Sequence, residues 1–170
     1  MLERFQTAER PLMTVFPSIA SLAIGRALGA LYESIPIRIG RLKLSHLLFP
    51  LPTSPVALVL YFVLKAFGGR YLLTTQRLRI TYGLKARAGA EVPLDEIGRI
   101  DLVTSFGDMF FHSGTLLVRD HVGTERLRLP GVVRPDMFRQ TILEARDALI
   151  STDAALRMIE GRRLNDAGAA

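Results

Sequence analysis

The stretch LLFPLPTSPVALVLYFVLKAFGGRYLLTTQRL, residues 47–78, decides how the chain is divided. Residues 47–67 are almost entirely apolar, two glycines follow, and apolar and polar side chains alternate from Arg70 onward. A continuous apolar run is typical of a helix in apolar surroundings, whereas a period of two is typical of a half-buried strand. The stretch therefore predicts a membrane segment that leads directly into a β domain.

Composition limits the possible functions. The 170 residues carry a net charge of +6 and include no cysteine, which excludes disulfides, thiolate metal sites and cysteine nucleophiles. Residues 1–68 contain seven Lys and Arg against three Asp and Glu, whereas residues 69–170 contain fifteen against thirteen. The basic excess accompanies the apolar segments, where anionic lipid headgroups would attract it. The remainder has the mixed charge of an ordinary surface, so we expect no nucleic-acid partner.

Residues 12–31 predict a first transmembrane helix, because they are interrupted by one charge and would extend ~30 Å as a helix. That charge, Arg26, costs about 3 kcal/mol at a membrane centre, so we expect it to reach the headgroups or a partner's carboxylate. Small residues that recur on one face predict close packing on another helix: Thr14, Ser18, Ser21, Gly25 and Gly29. One alternative is a cleaved signal peptide. Another is a soluble amphipathic helix that buries Leu12, Phe16, Ile19, Ala23 and Leu28.

Residues 47–68 predict a second membrane segment with an irregular start. Pro50, Pro52 and Pro55 crowd this start, so a regular helix is expected to begin near Ser54 and to end at Gly68. That helix would be only ~21 Å long, which leaves open a short tilted span or a re-entrant element.

The two segments together predict a membrane α-hairpin over residues 1–69, followed by a domain at residues 70–161 and a tail at residues 162–170. The loop between the segments carries Arg38, Arg41 and Lys43, whereas the side with both chain ends carries Arg4, Arg10, Lys65, Arg70, Arg77 and Arg79. Because the more basic flank stays in the cytoplasm, the domain is expected on the cytoplasmic side.

Residues 70–129 predict six or seven short antiparallel strands, since alternating segments are separated by turn residues. Leu78 and Ile80, for example, alternate with Arg77 and Arg79. Residues 105–113 are predicted to form a loop. A helix is expected from Pro135 onward, because one apolar face recurs at helical spacing: Phe138, Ile142, Ala145 and Leu149.

Longer patterns run through this domain: Tyr71-x-Leu73-Thr74-x-x-Arg77-Leu78-x-Ile80, Gly83-Leu84, Pro93-Leu94-x-x-Ile97-x-x-Ile100, Gly114-x-Leu116-x-Val118, Leu127 and Pro135. They resemble the bacterial pleckstrin-homology-like family of small membrane proteins over roughly residues 70–146. The resemblance implies an α+β fold, a curled antiparallel barrel of about seven strands closed by a C-terminal helix. It also implies two preceding transmembrane helices and a place at the bacterial inner membrane. The family has no common reaction or ligand, so no activity follows from it.

No catalytic pattern is evident in the sequence. His46, His112 and His121 have no partner at metal-ligand spacing, and no carboxylate pair or phosphate-binding glycine motif is present. We therefore expect a protein that is not an enzyme and has no cofactor, metal or small-molecule substrate.

Two surfaces are candidates for binding. A basic cluster is expected to contact lipid headgroups or a partner's acidic patch, with Arg26 as a further contact: Arg77, Arg79, Lys85 and Arg87. An aromatic group is expected to enter the membrane interface or a partner's pocket: Phe106, Met109, Phe110 and Phe111. The alternatives are a solvated strand face for the first set and capping of the barrel core for the second.

The sequence thus predicts a non-catalytic, membrane-anchored interaction module, an accessory or scaffold subunit that stabilises a larger integral-membrane complex. The small-residue stripe and the irregular second segment favour docking on protein, because irregular backbone at membrane depth is tolerated where protein covers it. The alternative is an anionic-lipid-binding or membrane-stress-sensing protein.

Overall fold

A computed structural model describes residues 9–33, 38–39, 42–43, 50–83 and 87–168 of the chain. In chain order the elements are β1 (Pro11–Val15), α1 (Ala23–Glu33), β2 (Arg38–Ile39), β3 (Leu42–Lys43), α2 (Pro50–Phe67), β4 (Gly69–Thr74), β5 (Arg77–Tyr82), β6 (Arg87–Pro93), β7 (Ile97–Val103), α3 (Phe106–Phe110), β8 (Ser113–Asp120), β9 (Glu125–Val133) and α4 (Pro135–Gly168). Short 3₁₀ turns lie at Ile19–Ser21 and Leu94–Glu96.

Two antiparallel sheets form the body of the domain, in the orders β1-β4-β5-β6 and β7-β8-β9, and β2 and β3 form a small separate hairpin. The inward side chains of both sheets meet in one core, to which α4 contributes Phe138 and Ile142. Ala145 and Leu149 continue that face as partly buried residues. The sheets and the closing helix expected from the alternation and from the resemblance are therefore confirmed.

Local sequence explains how β4 turns into β5. The hydroxyl of buried Thr74 accepts hydrogen bonds from the backbone N–H groups of Gln76 and Arg77 and donates to the Arg77 carbonyl at 2.9 Å. A threonine side chain that bonds its own turn in this way fixes the reversal. Leu73 and Leu78 then face each other in register, and both are fully buried.

The seven strands of the two sheets run between two ends of the sheet pair, which we call the barrel. At the helical end, which holds α1, α3, the C-terminal end of α2 and the first turn of α4, the Tyr71 hydroxyl donates to the Pro130 carbonyl at 2.6 Å. The Ser18 N–H donates to the Gly131 carbonyl there. At the turn end, which holds residues 75–76, 94–96 and 121–124, the Leu94 N–H donates to the Gln76 carbonyl. The first two bonds tie the first sheet and the segment after β1 to β9 at the helical end, and the third extends the pairing of β5 with β6 at the turn end.

The prediction of one helix over residues 12–31 is wrong. Pro11–Val15 is instead a strand, with Met13 opposite Leu73 and Val15 opposite Tyr71 of β4. A 3₁₀ turn follows, and α1 spans only Ala23–Glu33, about 16 Å at 1.5 Å per residue. Within the described ranges, no helix is both long enough and apolar enough to cross a membrane, so the predicted hairpin of spanning helices is not supported.

Several predicted boundaries also change. The predicted loop at residues 105–113 contains α3, whose N-terminus is stabilised by reciprocal hydrogen bonds between Ser105 and Asp108. The helix α2 begins at Pro50 rather than near Ser54. Pro50 and Pro52 fall in its first turn, where N–H groups have no intrahelical partner to lose, whereas Pro55 lies inside the helix. The helix α4 continues to Gly168 through most of the predicted tail at residues 162–170.

We expect Tyr71→Phe to lower the free energy of unfolding by about 1–2 kcal/mol, because it leaves the Pro130 carbonyl without its donor. Burial raises the pKa of Tyr71 above its ordinary value of 10.0. The stabilisation by the neutral Tyr71 hydroxyl is therefore fully present below pH 10.0. Above pH 10.0 it declines, because this hydroxyl ionises in the unfolded chain before it ionises in the folded protein. Urea unfolding at neutral and alkaline pH tests this, with exposed Tyr82→Phe as the control. An equal effect of both variants would contradict the assignment.

Candidate functional site

Exposed apolar side chains gather at the helical end of the barrel. They come from elements that are far apart in sequence, including the ends of three strands and the first turn of α4: Phe16, Ile24, Leu31, Tyr82, Val103, Phe106, Met109, Val133 and Met137. The helices α1 and α3 pack directly on each other there. A concentration of exposed apolar side chains on one side of a protein marks a surface that contacts another protein or a membrane.

The helix α2 makes this end still more apolar. Most of its described side chains beyond the first turns are exposed apolar residues: Val56, Leu58, Val59, Tyr61, Phe62, Val63 and Phe67. Leu60 and Leu64 are half-buried, which fits the contacts of this helix with α1 and with the 3₁₀ turn. A helix that is apolar on all faces is normally buried in protein or lipid. Because α2 leads through Gly68 into β4, its C-terminal end is fixed to the barrel.

The small residues predicted to form one packing stripe lie on three different elements, since Thr14 is in β1, Ser18 and Ser21 belong to the 3₁₀ turn, and the two glycines are in α1. Ser18 caps the 3₁₀ turn by accepting the Ala20 N–H, and Ser21 lies against Gly131 of β9. Gly25 lies against the backbone of the 3₁₀ turn, where a Cβ atom would overlap the Ile19 carbonyl. Gly29 lies against the Gly107 carbonyl of α3. These close contacts are all within the chain.

The predicted aromatic group divides between solvent and the barrel. Phe106 and Met109 are 57% and 61% exposed, three residues apart on α3. Phe110 and Phe111 are half-buried and pack edge to face with ring centroids 4.9 Å apart. The helix α3 thus presents two apolar side chains outward, while Phe110 and the following Phe111 are turned partly inward.

The predicted basic cluster is not brought together. Arg79 pairs with Glu9 at 2.9 Å, and Arg77 pairs with Glu91 at 2.9 Å and with Glu9 at 3.5 Å, near the turn end. Arg87 lies opposite Tyr82 at the helical end. Lys85 lies outside the described residues.

Arg26, which was predicted to reach lipid headgroups or a partner's carboxylate, contacts its own chain in the structure. Its guanidinium donates to the Ala20 carbonyl at 3.5 Å and is half-buried. The Arg26 carbonyl lies against Gly107, so this residue contributes to the contact between α1 and α3.

Other basic residues, which the sequence did not single out as contacts, border the apolar surface. Lys65 lies over the Tyr61 ring at 5.7 Å from its centroid, and Arg70 lies over the Phe16 ring at 5.5 Å. Arg134 separates β9 from α4 and has a positive φ of 49°. These residues could have been found from the sequence by their position at the ends of elements. Strand ends that meet at one end of the barrel bring such residues together.

The turn end, unlike the apolar helical end, carries mainly charged side chains that pair with one another. Arg126 pairs with Glu96 at 2.8 Å, and Arg119 pairs with Asp101 at 2.8 Å and donates to the Gly123 carbonyl. The Asp120 carboxylate accepts the backbone N–H groups of Thr124 and Val122, and these hydrogen bonds lower the pKa of Asp120. The barrel therefore has one apolar end and one end that is dominated by paired charges.

The family model of the bacterial PH domain matches residues 14–146. The match includes part of β1 and the helices α1 and α2 as well as both sheets. No curated protein matches the chain.

Proposed function

The chain belongs to the bacterial PH domain family, and from that premise we propose that it is a non-catalytic, membrane-attached interaction module. In this role its helical end rests in the surface of a bacterial inner membrane. Its C-terminal helix then docks, as part of an accessory subunit, onto a larger integral-membrane complex. Membership of the family alone supports no reaction, since one fold serves many functions.

The observation that carries the proposal is the exposure of α2. Complete burial of an exposed Val, Leu or Phe side chain is worth up to about 1.5–3 kcal/mol. Seven such residues, including Tyr61, remain exposed on α2, and Phe106 and Met109 add to the same end. A surface of this kind is stable in an apolar environment, and membrane attachment does not require the helix to cross the bilayer.

The C-terminal helix supports the docking part of the proposal. Arg146 donates to the carbonyls of Ile97 and Gly98, which places the middle of α4 at the turn end. Residues 151–163 are exposed throughout, so the helix extends past the barrel by about 27 Å for residues 151–168 at 1.5 Å each. With the helical end at the membrane, this extension projects into the aqueous phase, where Leu156 and Ile159 are available to a partner.

Flotation of the full chain with neutral phosphatidylcholine vesicles tests membrane attachment. We expect the protein to float with vesicles and to remain bound at about 1 M salt, because an apolar contact is not screened. Protein that stays at the bottom of the gradient under both conditions would contradict attachment. Purification in mild detergent tests docking: a chain that elutes alone as a monomer in every detergent would contradict the accessory role.

A further inference from the structure

Four basic residues surround the apolar helical end. Lys65 is in the last turn of α2, Arg70 is the second residue of β4, Arg87 is the first residue of β6, and Arg134 precedes α4. The register of the sheets fixes this placement, because Arg70 lies opposite Thr81 and Arg87 lies opposite Tyr82. All four therefore border the surface that α2 and α3 present.

The charges of this border are not neutralised by the part of the chain that the structure describes. Within the described residues, no carboxylate lies within ion-pair distance of Lys65, Arg70, Arg87 or Arg134. By contrast, five basic residues on the strands nearer the turn end have carboxylate partners at 2.8–3.0 Å: Arg77, Arg79, Arg119, Arg126 and Arg128. At the helical end, the carboxylate of Asp108 is buried and bonded to Ser105, and that of Asp136 pairs with Arg139 at 3.4 Å. Apart from Arg10 just before β1, the unpaired basic residues on or next to the two sheets, within the described ranges, thus lie beside the apolar surface.

From this arrangement we infer that Lys65, Arg70, Arg87 and Arg134 form a binding site for the headgroups of anionic phospholipids. The inference rests on the proposed membrane attachment and adds the lipid class, the residues and the orientation. The apolar side chains enter the bilayer, the four basic residues lie at the level of the lipid phosphates, and the strands lead away from the membrane. A basic side chain near an anionic membrane surface strengthens binding about fivefold.

Two of these residues make contacts that fit the level of the lipid phosphates, at the boundary between hydrocarbon and headgroups. Aromatic rings and long basic side chains are enriched where hydrocarbon meets headgroups, since each has an apolar body and a polar tip. Lys65 over Tyr61 and Arg70 over Phe16 are pairs of this kind. The sequence-predicted Arg77 and Arg79 do not share the position, because Glu9 and Glu91 occupy their guanidinium groups.

The test compares binding of the full chain to vesicles of phosphatidylcholine alone and to vesicles that also contain phosphatidylglycerol at a fixed ratio. We expect stronger binding of the wild-type chain to the anionic vesicles. The triple variant Arg70→Gln, Arg87→Gln and Arg134→Gln should lose about 100-fold of that preference, at about fivefold per residue. The matched control Arg99→Gln, Arg126→Gln and Arg128→Gln removes the same charge from the outer strand surfaces near the turn end. This control should keep most of the preference for anionic vesicles.

Each outcome distinguishes the inference from the proposed function. Equal binding of the wild-type chain to both vesicle types would overturn the headgroup site and leave membrane attachment standing, whereas binding to neither would overturn both. Equal losses in the two triple variants would assign the preference to net charge and overturn the site. A third variant, Arg70→Lys, Arg87→Lys and Arg134→Lys, keeps the charge and should bind like the wild type, which separates loss of charge from loss of folding.

Discussion

Glutamate substitutions at Val59 and Phe62 are expected to release the full chain from membranes. Both side chains are exposed on α2, by 62% and 58%, so the change removes apolar surface without opening the barrel core. Each lost apolar side chain weakens transfer into lipid by about 1.5–3 kcal/mol, and the added carboxylates cost more. Together they should reduce the vesicle-bound to free ratio by more than about 100-fold, at 1.4 kcal/mol per factor of ten. Sedimentation with phosphatidylcholine vesicles measures this ratio.

The control for this variant is Val122→Glu at the turn end. Val122 is 91% exposed, yet it lies in the turn between β8 and β9. A general effect of surface apolarity would make this substitution as effective as either change on α2, whereas the proposed orientation predicts unchanged binding. Substitutions at exposed positions usually change the free energy of unfolding by less than about 0.5 kcal/mol, so urea unfolding should be similar for all three proteins. Membrane binding that survives both glutamates on α2 would refute attachment through this helix.

The same α2 variant separates the two parts of the proposed function. Docking is assigned to the extension of α4, whose exposed residues lie beyond the contact of Arg146 with β7. We therefore expect the glutamate variant to lose vesicle binding but to retain its partner in detergent solution. Simultaneous loss of both would indicate that α2 itself contacts the partner.

The strands after Gly69 were predictable because their signal is local. In β5 the residues Leu78 and Ile80 face the core while Arg77 and Arg79 face outward, so each pair of neighbours shows the period of two. The helical face of Phe138 and Ile142 was predictable for the same reason, since one buried face of a helix recurs at a fixed spacing.

The first strand was not predictable from its own residues. The sequence Pro-Leu-Met-Thr-Val at Pro11–Val15 is apolar without alternation, and its burial pattern leaves only Val15 inside. What makes it a strand is pairing with β4, which the helices α1 and α2 separate from it in the chain. Local apolarity therefore favoured a continuous helix over residues 12–31, while the long-range pairing that prevents it leaves no local pattern.

The grouping of basic residues at the candidate site was also not predictable from local sequence, because it depends on long-range strand register. Grouping Arg77 with Arg87 assumed that neighbouring strands bring their charges together, but Arg77 lies opposite Pro93 and Arg87 lies opposite Tyr82. Five residues of extended strand separate these positions by about 17 Å. The partner of Arg79, Glu9, precedes β1, so pairing with it depends on the same long-range register. The apolar character of α2, which is continuous in sequence, was predictable without any register.

The second large effect is expected at the contact between α1 and α3. There, Gly107→Ala should lower the free energy of unfolding by about 2–3 kcal/mol. A Cβ atom at Gly107 would overlap the Arg26 carbonyl, and one at Gly29 would overlap the Gly107 carbonyl. Backbone atoms cannot rotate away as a side chain does, so the two helices must separate and lose packing. Urea unfolding with fluorescence or circular dichroism measures the change.

Gly161→Ala is the matched control, because it makes the same substitution in a helix where nothing lies within 4 Å of the new methyl group. Alanine is favoured over glycine inside helices by about 0.5–1 kcal/mol, so this variant should be slightly more stable than the wild type. The two glycine variants are thus expected to differ in sign, and stabilisation by Gly107→Ala would contradict the close contact. Combining Gly29→Ala with Gly107→Ala extends the test: once one methyl group has separated the helices, the second should cost less than it does alone. Strictly additive losses would mean that the two glycines act at independent contacts.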